Sequence, residues 1–196
     1  MDMMKKFTIP NLLSIFRLLL VPVFAVTYFD GGEYSGLRAV LIYILAGLTD
    51  ILDGYIARKY KMMSALGRVL DPLGDKLMAF TVLVCITVDE TIPPWAVITF
   101  FVKEVLMGIG ALVLFRKIAD TPPSNVFGKT STVVFFAVCV ILIVGKGHIK
   151  PPIPSIMITG AIVIMLLAFA SYVSKFISIQ QKTKGSVQRE EDGEAR

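Results

Sequence analysis

Four aspartates, Asp50, Asp53, Asp71 and Asp75, are the residues whose type and spacing in this chain point to chemistry. Asp50 and Asp53 stand at i,i+3 and Asp71 and Asp75 at i,i+4, so on helices each pair shares one face. Two carboxylate pairs brought together repel unless positive charge lies between them. Oxygen-only ligands of this kind suit a hard divalent cation such as Mg2+ or Mn2+. The plainer alternative is that the aspartates pair with Arg58, Lys59, Arg68 or Lys76 at a membrane interface. His148 is the only histidine, and Cys85 and Cys139 lie in apolar runs without a CxxC pair. That pattern favours buried thiols over a disulfide framework or zinc site, and leaves the chemistry to carboxylates and basic groups.

The elements that position these acids are apolar. Of 196 residues, 55% are hydrophobic and only 18% charged, with a mean hydropathy of +0.73. A single soluble core of this length cannot hide so much apolar sequence, and a disordered chain needs low hydrophobicity. The class left is an all-α polytopic integral membrane protein. A span needs roughly 20 mostly apolar residues, and six segments qualify: 9–29, 37–57, 69–88, 93–115, 126–144 and 152–176. Backbone groups in lipid must be paired internally, and strict alternation is missing, so helices are preferred over barrel strands. One six-helix membrane domain is expected over 1–178, followed by a polar, mobile cytoplasmic tail over 179–196.

Turn-forming breaks at 30–33, 89–94 and 145–152 alternate with basic connections. One side then collects Lys5, Lys6, Arg58, Lys59, Lys61, Arg68, Lys76, Arg116, Lys117 and Lys129, with Lys175, Lys182, Lys184, Arg189 and Arg196 of the tail. The other keeps only Arg38, Lys146 and Lys150. The positive-inside bias makes both termini and the aspartate end cytoplasmic. The net charge of +5 therefore reads as a match to anionic lipid headgroups, with no nucleic-acid partner. The apolar start lacks a clean cleavage site and is interrupted by Arg17, so it reads as a retained span.

The run Asp50-Ile-Leu-Asp53-Gly54-Tyr-Ile-Ala57-Arg58, continued by Gly67-Arg-Val-Leu-Asp71-Pro-Leu-Gly-Asp75, matches DxxDGxxARx8GxxxDxxxD. It resembles the signature of the CDP-alcohol phosphatidyltransferases. The opening Pro10-Asn11-Leu-Leu-Ser14-Ile-Phe-Arg17 is similar to that family's P-N-x-x-[ST]-x-x-R start. The resemblance covers most of the chain and leaves out mainly the tail. It implies a cytoplasmic-side active site in a bacterial cytoplasmic membrane, and transfer of a phosphatidyl group from CDP-diacylglycerol to an alcohol with release of CMP. By resemblance Asp50, Asp53, Asp71 and Asp75 hold two divalent ions, Mg2+ or Mn2+, and Asp75 acts as general base. Gly54, Ala57 and Gly67 let the nucleotide approach, although small residues also serve helix packing. Arg58 meets the diphosphate; Ser64, Asn11, Ser14 and Arg17 are further CDP-lipid contacts.

On the acceptor side, Lys103-Glu104 falls near the middle of the fourth span, where ionisable residues normally face a cavity. With Arg116 and Lys129 these residues form a candidate pocket for a phosphorylated acceptor. Lys103-Glu104 and Gly128-Lys129-Thr130-Ser131-Thr132 resemble segments of the family branch that uses glycerol 3-phosphate and makes phosphatidylglycerophosphate. Lysine replaces the branch's arginine, so a cardiolipin-synthase-like enzyme with phosphatidylglycerol as acceptor, or another alcohol specificity, stays open. A homodimer is implied by the family. A small six-span transporter is the alternative from another class, but its charges would cluster at broken helices near the midplane.

Overall fold

The computed structural model describes residues 9–60, 67–117 and 126–194, with the side chains of Arg58, Arg68, Val69, 111–117, Val126 and 175–194 outside the description. Six helices follow one another: α1 (Ile9–Phe29), α2 (Ser35–Lys59), α3 (Gly67–Val88), α4 (Trp95–Lys117), α5 (Val126–Val144) and α6 (Ile153–Glu194). No strand occurs among the described residues. α1, α2, α5 and α6 are each long and apolar enough to cross a membrane. α3 carries Asp71, Asp75 and Lys76 in its first turns, and α4 carries Lys103 and Glu104 in its middle.

Each helix buries a narrow stripe and leaves large apolar side chains outside. On α1 the buried residues are Pro10, Asn11, Ser14, Arg17, Leu20, Phe24 and Tyr28, a three-to-four-residue repeat that marks one helix face. Leu12, Phe16, Leu19, Val23 and Val26 lie on its exposed side. A water-soluble protein rarely exposes so much contiguous apolar surface; a lipid surround accepts it. Between apolar helices and apolar lipid the hydrophobic gain is small, so close packing and internal polar contacts must hold the bundle. α1 packs chiefly on α2 and α3, and α5 on α6. The centre is aromatic: Phe24 stacks on Tyr28, Tyr43 on Phe136 with centroids 4.4 Å apart, and Phe100 on Phe135. Cys85 and Cys139 are free and buried, as their apolar settings predict.

At the end of the bundle away from the aspartates, Asp89 accepts a hydrogen bond from Tyr28 Oη (3.2 Å) and pairs with Lys146 at 3.2 Å. Lys146 also donates to the Tyr28 carbonyl and lies 4.0 Å from the Tyr28 ring centroid. This polar knot ties the ends of α1, α3 and α5 together. The chain reverses nearby through Gly31 and Gly147, both at positive φ.

α6 extends to Glu194, so residues 179–194, set apart in sequence as a polar tail, continue the last helix. The Lys, Gln, Glu and Arg residues there are good helix formers that need no buried face to adopt this conformation.

Small residues set the helix spacing. A Cβ on Gly36 of α2 would lie 2.8 Å from the Ile143 carbonyl oxygen of α5, which is backbone and cannot turn aside. Gly36→Ala is therefore expected to cost about 1–3 kcal/mol, read as a lowered unfolding temperature in detergent. Gly108→Ala, where a Cβ meets nothing within 4 Å, is the matched control and should not lower it. Equal behaviour of the two variants would refute this account of the α2–α5 contact.

Candidate active site

The polar half of the α1 stripe decides the site. Asn11, Ser14 and Arg17 are all buried, and α1 leans them against the aspartate-bearing ends of α2 and α3. Arg17 Nη1 lies 2.9 Å from Asp50 Oδ1, and Arg17 Nη2 pairs with Asp53 Oδ2. Nη1 also donates to the Asp71 carbonyl at 3.4 Å. The Ser14 hydroxyl bonds the Asp71 carboxylate and lies 2.9 Å from the Pro10 carbonyl. One guanidinium thus joins three helices. Its flat donor fork suits this task, because it can serve several oxygens at once without losing its charge.

The i,i+3 and i,i+4 spacings place Asp50 with Asp53 on α2 and Asp71 with Asp75 on α3, as helical periodicity requires. Their surroundings differ. Asp53 is buried beside Arg17, whereas the Asp50 side chain is 44% exposed. Asp50 and Asp75, with Arg17 of α1, line a cavity of about 370 Å3 whose other walls come from α2, α3, α4, α5 and α6. Among the described residues, no three or more His, Cys, Asp or Glu side chains are gathered closely enough to hold an ion; Arg17 supplies the positive charge at Asp50 and Asp53. The donor chemistry still fits a hard cation. The carboxylates are oxygen-only ligands, and members from two helices open into one cavity.

The same cavity holds the acceptor-side candidates Lys103, Glu104 and Lys129. Lys103 pairs with its neighbour Glu104, and Glu104 pairs in turn with Lys76 of α3. Ser131 is buried and bonds the Gly128 carbonyl at 2.8 Å. Gly54 is half-buried on α2, and Ala57 and Gly67 are buried. Arg58 and Arg116 lie on α2 and α4 with side chains outside the described residues, and Ser64 falls outside them altogether.

Two contributors escape the sequence reading. Gly74, between the two α3 aspartates, faces Arg17: a Cβ there would sit 3.4 Å from Arg17 Cδ. Its position inside the motif is the signal that marks it. Lys76 reads in sequence only as one more flanking basic residue, because its partner Glu104 is remote in the chain.

Residues 7–176 match the CDP-alcohol phosphatidyltransferase family. The chain belongs to that family. It is a membrane-associated transferase of phospholipid biosynthesis, and the family match spans all of the first five helices and the apolar part of α6. Among relatives, a CDP-diacylglycerol–glycerol-3-phosphate 3-phosphatidyltransferase of Rickettsia bellii is 27% identical over 169 residues, covering 86% of this chain and 91% of the relative. The Bacillus subtilis protein of the same name is 29% identical over 138 residues, 64% of this chain and 71% of the relative. A CMP-forming cardiolipin synthase of Streptomyces coelicolor is 37% identical over 128 residues, 64% of this chain and 60% of the relative.

Proposed function

We propose that this phosphatidyltransferase moves the phosphatidyl group of CDP-diacylglycerol onto glycerol 3-phosphate, giving phosphatidylglycerophosphate and CMP. The observation that carries the reading is one cavity lined both by motif aspartates, Asp50 and Asp75, and by the cationic side chains Lys76, Lys103 and Lys129. A phosphorylated acceptor needs cations for its phosphate beside a carboxylate for its hydroxyl. The names carried by the Rickettsia bellii and Bacillus subtilis relatives support the same acceptor.

In this reading Asp50, Asp53, Asp71 and Asp75 hold Mg2+ or Mn2+, two ions in all. When bound, these supply charge for the diphosphate and for the departing CMP. Asp75 accepts the proton of the acceptor hydroxyl as that oxygen bonds the phosphatidyl phosphorus and the bond to CMP breaks. Arg17 and Ser14 hold the aspartates in register, which contributes through positioning. Gly54, Ala57 and Gly67 leave room for the nucleotide, with Arg58, Ser64 and Asn11 as its polar contacts. Arg116 joins the acceptor side. All six helices span the membrane, the aspartate end and both termini are cytoplasmic, and two copies form a homodimer in the bacterial cytoplasmic membrane.

The Streptomyces coelicolor match favours one second reading, with phosphatidylglycerol as acceptor. Purified protein with radiolabelled CDP-diacylglycerol and a panel of acceptors separates the two. We expect CMP release with glycerol 3-phosphate that stops on chelation of divalent ions and returns on adding Mg2+ or Mn2+. Turnover with phosphatidylglycerol alone would overturn the acceptor. Undiminished turnover in excess chelator would overturn the metal, and ion flux in liposomes without any turnover would favour a transporter.

A further inference from the structure

Glu104 stands between two ammonium groups of unequal freedom. Lys103 is buried and pairs with Glu104; its Nζ lies 3.1 Å from Met165 Sδ on α6 and 5.7 Å from the Phe100 ring centroid. That ammonium is engaged by protein groups from two helices. Lys76, on α3, pairs with the other Glu104 oxygen but keeps 38% of its side chain exposed, and it lines the same cavity as Asp75. An ammonium has three donors, and Glu104 occupies only part of that capacity. Two ammonium groups share one carboxylate, which leaves one net positive charge on the three, and Lys76 is their more exposed end.

We infer that Lys76 is the residue that binds the acceptor's phosphate and selects a phosphorylated alcohol, with Glu104 and Lys103 as the positioning residues behind it. The inference rests on glycerol 3-phosphate being the acceptor. Sequence resemblance names Lys103, Glu104, Arg116 and Lys129 on the acceptor side and leaves Lys76 out. Lys76 and Lys103 both line the cavity, but Lys103 is buried and held by protein groups whereas Lys76 keeps 38% of its side chain exposed. Asp75 and Lys76 are consecutive on α3 and both line the cavity, so one stretch of α3 carries both the proton acceptor and the phosphate anchor. Lys129 reaches the same cavity from α5, so the phosphate is met from two helices.

The test is steady-state kinetics of the purified full chain in detergent micelles containing CDP-diacylglycerol. Lys76→Gln should raise KM for glycerol 3-phosphate about 10- to 100-fold, the worth of a charge-assisted contact. KM for CDP-diacylglycerol and kcat should stay within about twofold. Inorganic phosphate should compete with glycerol 3-phosphate, and its inhibition constant should rise in parallel in Lys76→Gln, with partial recovery in Lys76→Arg. An unchanged KM and phosphate inhibition constant would overturn the inference, as would a fall in kcat with both KM values intact. It fails equally if Lys103→Gln carries the KM and phosphate effects and Lys76→Gln does not. Wild-type enzyme that turns over phosphatidylglycerol but no glycerol 3-phosphate would overturn the acceptor reading itself, a separate result visible before any variant is made.

Discussion

Asp75→Asn is expected to slow CMP release by about 10²- to 10⁴-fold, the range for losing a positioned general base. The amide has nearly the size of the carboxylate and still accepts hydrogen bonds, but it cannot take up the acceptor's proton. Asp75 lines the cavity together with Asp50, and losing one of these two negative charges relieves repulsion. The unfolding temperature should therefore not fall. Raising the divalent-ion concentration separates two roles: a loss that persists at saturation assigns proton transfer, whereas full recovery assigns Asp75 to ion binding alone. Near-wild-type turnover at ordinary ion concentrations would remove Asp75 from the reaction.

The second large effect is on stability. Arg17→Met leaves Asp53 buried without its counter-charge, and breaking a buried ion pair from one side costs about 3–5 kcal/mol. Asp50 and the Asp71 carbonyl lose their contacts in the same step, so the packing of α1 on α2 and α3 should loosen. The expected result is a sharply lower unfolding temperature in detergent, or loss of folded protein during purification. Asp53→Asn combined with Arg17→Met should recover most of that stability while remaining inactive. Residues in contact are non-additive in this way. An Arg17→Met protein as stable as wild type would show that the buried pair does not hold the three helices together. So would a double variant no better than the single one.

The helices were legible because membrane spanning is a local property. Apolar length, turn residues such as Gly31 and Gly147, and basic flanks are written along the chain; each expected span is occupied by a helix, and four of these helices are long and apolar enough to cross a membrane. The aspartate faces were legible for a similar reason, since i,i+3 and i,i+4 spacing decides a shared face before any packing occurs. The helix of the polar end has no such local mark, because secondary structure there does not depend on burial. Lys- and Glu-rich sequence stays helical through Glu194 without an apolar stripe to announce it.

What remained hidden is pairing between distant residues. From sequence, Arg17 is one more polar residue at the start of a span and a candidate substrate contact. Its place among Asp50, Asp53 and Asp71 follows only from how α1 packs on α2 and α3. Lys103-Glu104 reads in sequence as part of a cavity-facing acceptor pocket, and its link to Lys76 of α3 through Glu104 appears only in the packed helices. Composition by itself determined the solvent, and the aspartate register pointed to divalent-metal chemistry, because both are periodic or additive along the chain; the reaction class came from the resemblance of the whole motif to the family. Tertiary structure alone decided which cation serves which carboxylate. Inside a bundle a charge must find a partner wherever the packing offers one, and that choice depends on helix contacts, which have no local signature.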